Sequence, residues 1–120
     1  MGTGKMKKAG IAAGALVVAM SAAVPVHAEM RCGWISNVMP SSLSIDDRDA
    51  TWSIATIDRT ADDFEKMPDT NRGDTCGCVT GTTDKQSHRF TKITGGKILP
   101  AATCQRDKSL AQAIAKRDGR

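Results

Sequence analysis

The chain has 120 residues, with 17 lysines and arginines against 13 aspartates and glutamates. Three of the basic residues, Lys5, Lys7 and Lys8, fall within the first 28, so residues 29–120 carry 14 basic and 13 acidic groups. A near-neutral stretch of 92 residues leaves room for one small domain and lacks the electrostatic footprint of a nucleic-acid-binding protein.

Residues 1–28 read as a signal peptide. A lysine-bearing start is followed by an apolar run of small side chains from Ala9 to Val24, then Pro25-Val26-His27-Ala28. Val26 and Ala28 suit a signal-peptidase site, with cleavage before Glu29. The apolar run is short of the roughly 20 residues that a spanning helix needs, so stable membrane insertion is not expected once the signal is removed. The expected location is the periplasm or the exterior.

Residues 29–120 form the expected single domain. Met30-Arg31-Cys32-Gly33-Trp34-Ile35 alternates, and Met30, Cys32 and Trp34 would share one apolar face that carries the sulfur inward. A turn around Pro40 follows, then Leu43-Ser44-Ile45, a polar turn at Asp46-Asp47-Arg48-Asp49, and the β-branched run 51–57. Together these predict a hairpin, with Arg48 as a candidate for inward pairing at its turn. Residues 58–74 read as a long connection with one helical turn near 61–66, where Asp62 and Asp63 suit an N-terminus.

The segment Asp74-Thr75-Cys76-Gly77-Cys78-Val79-Thr80 is the central strand. Extended backbone puts Cys76 and Cys78 on one face. Thr80 to Asp84 reads as a turn, 88–94 as a strand, Gly95-Gly96 as a second turn, and Lys97-Ile98-Leu99 as a short strand stopped by Pro100. A final helix follows, capped by Asp107 or Ser109, with Leu110, Ala113 and Ile114 as its apolar stripe and Gly119 as its C-cap. The expected fold class is a small β-rich α+β domain, an antiparallel sheet with a C-terminal helix and two disulfides.

The disulfides follow from the compartment and the thin core. Trp34, Trp52, Phe64 and Phe90 are the only aromatic residues, and a domain this small commonly needs covalent help. Cys32, Cys76, Cys78 and Cys104 make an even set in an oxidising environment. A Cys76–Cys78 bridge is strained along a strand. Two pairings stay open: Cys32–Cys76 with Cys78–Cys104, and Cys32–Cys78 with Cys76–Cys104.

An ordered set of motifs resembles a known family. Arg31-Cys32-Gly33-Trp34, Asp47-Arg48-Asp49 leading to Trp52 and Ile54, the Cys-x-Cys pair, and Cys104 followed by Arg106-Asp107 are similar to the bacterial domain of unknown function 4087 family. The resemblance spans Met30 to about Leu110. It implies an exported, cysteine-stapled domain and supplies no catalytic residues to carry over.

Candidate chemistry is sparse. Cys76 and Cys78 with His88 and a third cysteine could bind zinc if reduced, and a metal-handling protein is the alternative reading. Zinc pairs are usually spaced by two to four residues, and export favours oxidised sulfur, so no metal or other cofactor is expected. Asp46, Asp47 and Asp49 lack the rest of a calcium loop. His88 is the only histidine past residue 28 and sits in no nucleophile pattern, so an enzyme ranks third.

Charge is segregated: residues 85–120 hold nine basic and two acidic groups, whereas 58–74 hold three basic and six acidic. If the acidic hairpin lies on the far side, Arg106, Lys116 and Arg117 form a positive binding face. The expected function is a non-enzymatic binding module of the cell envelope, a monomer whose partner is an envelope protein or an anionic glycan.

Overall fold

A computed structural model describes residues 28–39, 42–70 and 73–119. The expected signal peptide, apart from Ala28, and the turn residues Pro40 and Ser41 lie outside the described residues. Among the described residues five strands are formed: β1 (Glu29–Met39), β2 (Ser42–Asp46), β3 (Thr51–Ala55), β4 (Gly73–Asp84) and β5 (Arg89–Ile98). A 3-10 turn at Phe64–Lys66 interrupts the long connection, and two helices, α1 (Ala101–Gln105) and α2 (Lys108–Arg117), end the domain.

The sheet closes into a barrel in the order β1-β2-β3-β5-β4, with β4 returning to β1. All pairings are antiparallel except β3 with β5. This is the strand order of Greek-key barrels of the oligonucleotide- and oligosaccharide-binding type. The parallel seam is short: Ser53 donates to the His88 carbonyl at 2.8 Å, and below it residues 60–62 wedge between the strands. Ala61 donates to Ile54, Asp62 donates to Thr91, and Ile93 donates back to Asp62. The connection between β3 and β4 therefore completes the barrel wall as well as linking strands.

Alternation decides two cores. Ile35, Leu43, Ile45, Trp52, Ile54, Val79, Phe90 and Ile93 fill the barrel, together with Ala50 and Ala61. Cys76, Cys104 and Leu110 make a second cluster on the outer surface, where α1 and α2 cover Trp34 and Leu99. The expected inward face of β1 is thus reversed. Ile35 is buried in the barrel, and its parity mates are Gly33 and Arg31; Cys32 and Met30 face outward and are exposed.

Gly33 makes this possible, since a Cβ there would lie 1.9 Å from the Asp46 carbonyl oxygen. Only glycine lets the two strands approach so closely at the barrel corner.

The hairpin of β2 and β3 forms as expected. Two expected turns do not: Thr80–Asp84 and Gly95-Gly96 are both within strands. The β4–β5 register skips one residue of β5 between Thr80 and Gly81 and another between Thr82 and Thr83. These bulges bend the pair without ending it, which is how a long hairpin wraps a small barrel. The final helix is capped by Asp107, whose carboxylate accepts from Leu110 N at 3.0 Å, and Gly119 takes the left-handed conformation just past its end.

Candidate functional site

The polar side chains converge at one mouth of the barrel. Asp47 follows β2 and is buried, and its Oδ1 accepts from Asp49 N at 2.8 Å and Ala50 N at 2.9 Å, closing the turn onto β3. The same oxygen accepts from Trp52 Nε1 at 3.1 Å. Its Oδ2 accepts from Arg31 Nη1 at 3.2 Å, which also donates to Asp49 at 2.7 Å. Arg31 Nη2 donates to Glu29 at 2.8 Å, and the guanidinium carbon stands 4.1 Å from the centre of the Trp52 ring. The inward arginine is therefore Arg31; Arg48 is exposed and faces Asp107 at 3.7 Å.

This clamp is electrostatically closed. Burial works against the Arg31 charge, but the hydrogen bonds it donates to Glu29, Asp47 and Asp49, with the Asp47 charge, outweigh it and raise its pKa above the ordinary arginine value. The hydroxyl of Thr83, 2.9 Å from Oε1, is the main cause that holds the Glu29 carboxyl below its usual range; Arg31 and Lys85 act in the same direction and partial burial opposes them. His88 is exposed with φ 54°, and its ring meets the Trp52 indole edge-on with 5.3 Å between centroids. Nearly every polar atom of the cluster already holds another one. Arg31 Nε is the one buried side-chain polar atom without a partner among the described residues. The cluster locks the mouth of the barrel.

The cysteines take one of the two pairings that the sequence left open: Cys32–Cys78 and Cys76–Cys104. Cys78 bridges to its register partner on β1, whereas Cys76 reaches out to α1 and fixes the helical cap. With Cys76 and Cys78 both bonded, neither offers a thiolate, so the alternative in which they ligate metal does not apply to this oxidised form. His88 lies with Trp52 instead. Among the described residues no group of three or more His, Cys, Asp or Glu could hold a metal ion, and no helix is long and apolar enough to cross a membrane.

The three residues of the expected basic face separate. Arg117 Nη2 donates to the Asp47 carbonyl at 2.8 Å and lies 3.6 Å from the Asp46 carboxylate. The acidic turn thus sits against the end of α2 and not on the far side, because closing the barrel brings the β2–β3 turn under the cap. Arg106 and Lys116 are exposed, as are Lys97 and Lys108, and none of the four takes part in an ion pair among the described residues. At the opposite end of the barrel a groove of about 330 Å³ has Leu43, Phe64, Met67, Glu65 and Asp69 in its lining.

Sequence reasoning missed Arg31 as the hub. The signal was present in the parity of β1, where Arg31 and Ile35 share a face, and in the quoted motif residues Arg31, Asp47, Asp49 and Trp52, which all meet in this cluster. No curated protein and no solved structure matches the chain. A family model described as a protein of unknown function, DUF4087, matches residues 26–111, which contain the four cysteines and the whole Arg31 clamp; the chain belongs to this family.

Proposed function

We propose that this is an exported, non-enzymatic binding module of the bacterial cell envelope that recognises an anionic glycan or an acidic envelope protein through its helical cap. The observation that carries the reading is the set of exposed cations Lys97, Arg106, Lys108 and Lys116, which have no ion-pair partner among the described residues. Other basic groups are paired within the domain, among them Arg117 with Asp46, Arg48 with Asp107, Lys92 with Asp63 and Lys85 with Glu29. Exposed charges of one sign raise encounter rates with oppositely charged partners, and the effect falls with salt. The barrel topology supports a binding role by analogy, since barrels of this order serve as ligand scaffolds.

The test is binding of the exported protein to immobilised dextran sulfate, with uncharged dextran as the control. Retention is expected on the sulfated matrix alone, weakening as sodium chloride is raised. Changing Arg106 and Lys116 together to Ser should reduce retention, while Arg117→Ser should act mainly on stability. Retention that survives both raised salt and the double change rejects the proposal.

A further inference from the structure

The two disulfides occupy very different surroundings. Cys76–Cys104 is covered: both residues are buried, with Leu110 beside them and Trp34, Leu99 and Ile114 packed around. Cys32–Cys78 lies on the outer face of the barrel wall, with Cys32 exposed and Met30, its neighbour along that face, 59% exposed. The asymmetry continues within the bridge, since Cys78 is only 2% exposed. A nucleophile from solvent can therefore reach one sulfur of the four far more easily than the rest.

The backbone adds a second difference. Cys32 and Cys78 are directly opposed on adjacent antiparallel strands, with Cα atoms 4.0 Å apart. That is shorter than the roughly 4.4–6.8 Å that disulfides usually span. Cys76 and Cys104 have the ordinary separation of 5.8 Å. Opening the outer bridge need not undo the structure around it, because β1 and β4 pair without a break from Glu29 opposite Gly81 to Asn37 opposite Gly73. On the other side of β4, Lys97 is the register partner of Cys78, so its ammonium rises from the same face of the sheet. A cation there favours a thiolate at Cys78.

We infer that Cys32–Cys78 is a thiol–disulfide exchange site, opened by an external dithiol of the thiol oxidoreductase class while Cys76–Cys104 stays closed. A thiolate of the dithiol attacks Cys32 Sγ, forming a mixed disulfide. The Cys32–Cys78 bond breaks and Cys78 leaves as a thiolate beside Lys97, later taking a proton from water. The second thiol of the reductant, deprotonated, then attacks its own sulfur in the mixed disulfide and releases Cys32, which is protonated in turn. The dithiol is oxidised to a disulfide by two electrons, and the protein gains two thiols. The polarity of the first step follows from access at Cys32 and from the quality of the leaving group at Cys78.

The experiment treats purified oxidised protein with dithiothreitol, quenches with an alkylating reagent over time, and maps the modified cysteines by mass spectrometry. Cys32 and Cys78 should be labelled roughly tenfold or more faster than Cys76 and Cys104, with far-UV circular dichroism retained as the first pair opens. A monothiol probe, glutathione, should be found as an adduct on Cys32 and leave Cys78 free. Lys97→Gln should slow opening about two- to fivefold at low salt, a difference that shrinks as salt is raised. Equal opening rates for the two bridges, earlier opening of Cys76–Cys104, or loss of the fold as the first bridge opens overturns the inference. An adduct on Cys78 overturns the assigned direction of attack, and a wild-type rate in Lys97→Gln overturns the role of that lysine.

Discussion

Asp47 is a hub of the structure, because its two oxygens serve two backbone amides, an indole and a guanidinium. Removing them leaves a mostly buried Arg31 without the most buried of its three counter-charges and three donors without an acceptor. Asp47→Ala should therefore cost about 3–5 kcal/mol, read by urea unfolding followed through tryptophan fluorescence. Asp47→Asn keeps one acceptor oxygen for the turn and should cost less. If the alanine variant unfolds at the wild-type midpoint, the clamp is not what holds this end of the barrel. Glu29 makes a second test in pH. Its folded pKa lies below the ordinary value, chiefly through the Thr83 hydroxyl, so its contribution is present above the unfolded pKa of about 4.3 and is lost as pH falls through the folded value. The raised Arg31 value has the opposite sense, with its stabilisation present throughout the acid and neutral range and lost only in strong alkali. Stability should therefore decline below about pH 4.3, and Glu29→Gln should flatten part of that decline in a pH series of thermal melts.

At the scale of elements, the strands were legible in the sequence where alternation was clean and hidden where glycine or charge held an interior position. The β2–β3 hairpin was readable because Leu43, Ile45, Trp52 and Ile54 alternate with polar residues and all point into the barrel. In β1 the apolar residues Met30, Cys32 and Trp34 lie on the outer surface, while the interior is held by Arg31, Gly33 and Ile35; hydrophobicity alone points to the wrong face. Gly81 deceives in the same way: beside Thr80 and Thr82 it resembles a turn, yet it marks a bend where a Cβ would meet the Lys92 carbonyl oxygen at 2.0 Å. The cap is half readable. Asp107 announces the start of α2, but the short α1, which holds Cys104, carries no capping side chain to announce it. The clamp itself depends on contacts across 16 and 18 positions, from Arg31 to Asp47 and Asp49, which local periodicity does not report.

For the whole molecule, the two disulfides close loops of comparable size, with sequence separations of 46 and 28, so the chain-entropy view assigns them similar effects on the unfolded state, about 4 and 3.5 kcal/mol. Their native roles differ. Cys32–Cys78 joins strands that are already paired in register, whereas Cys76–Cys104 joins the cap to the barrel. The cap has other attachments, namely Leu110 and Ile114 in the outer cluster, the Leu99 amide bonded to the Cys76 carbonyl at 2.8 Å, and Arg117 on the acidic turn. It has no strand ladder, and small units without one open locally at free energies below that of global unfolding. Replacing Cys76 and Cys104 together by Ala should therefore separate the molecule into two levels of stability. Amide hydrogen exchange measured by mass spectrometry should show residues 101–117 losing protection by at least about tenfold more than β1 and β4. The cations proposed to bind, Arg106, Lys108 and Lys116, sit on this same cap, so the variant should also bind dextran sulfate more weakly at a salt concentration where the oxidised protein is still retained. Uniform loss of protection across barrel and cap would show that the domain opens only as a whole, and that the outer cluster is continuous with the barrel core.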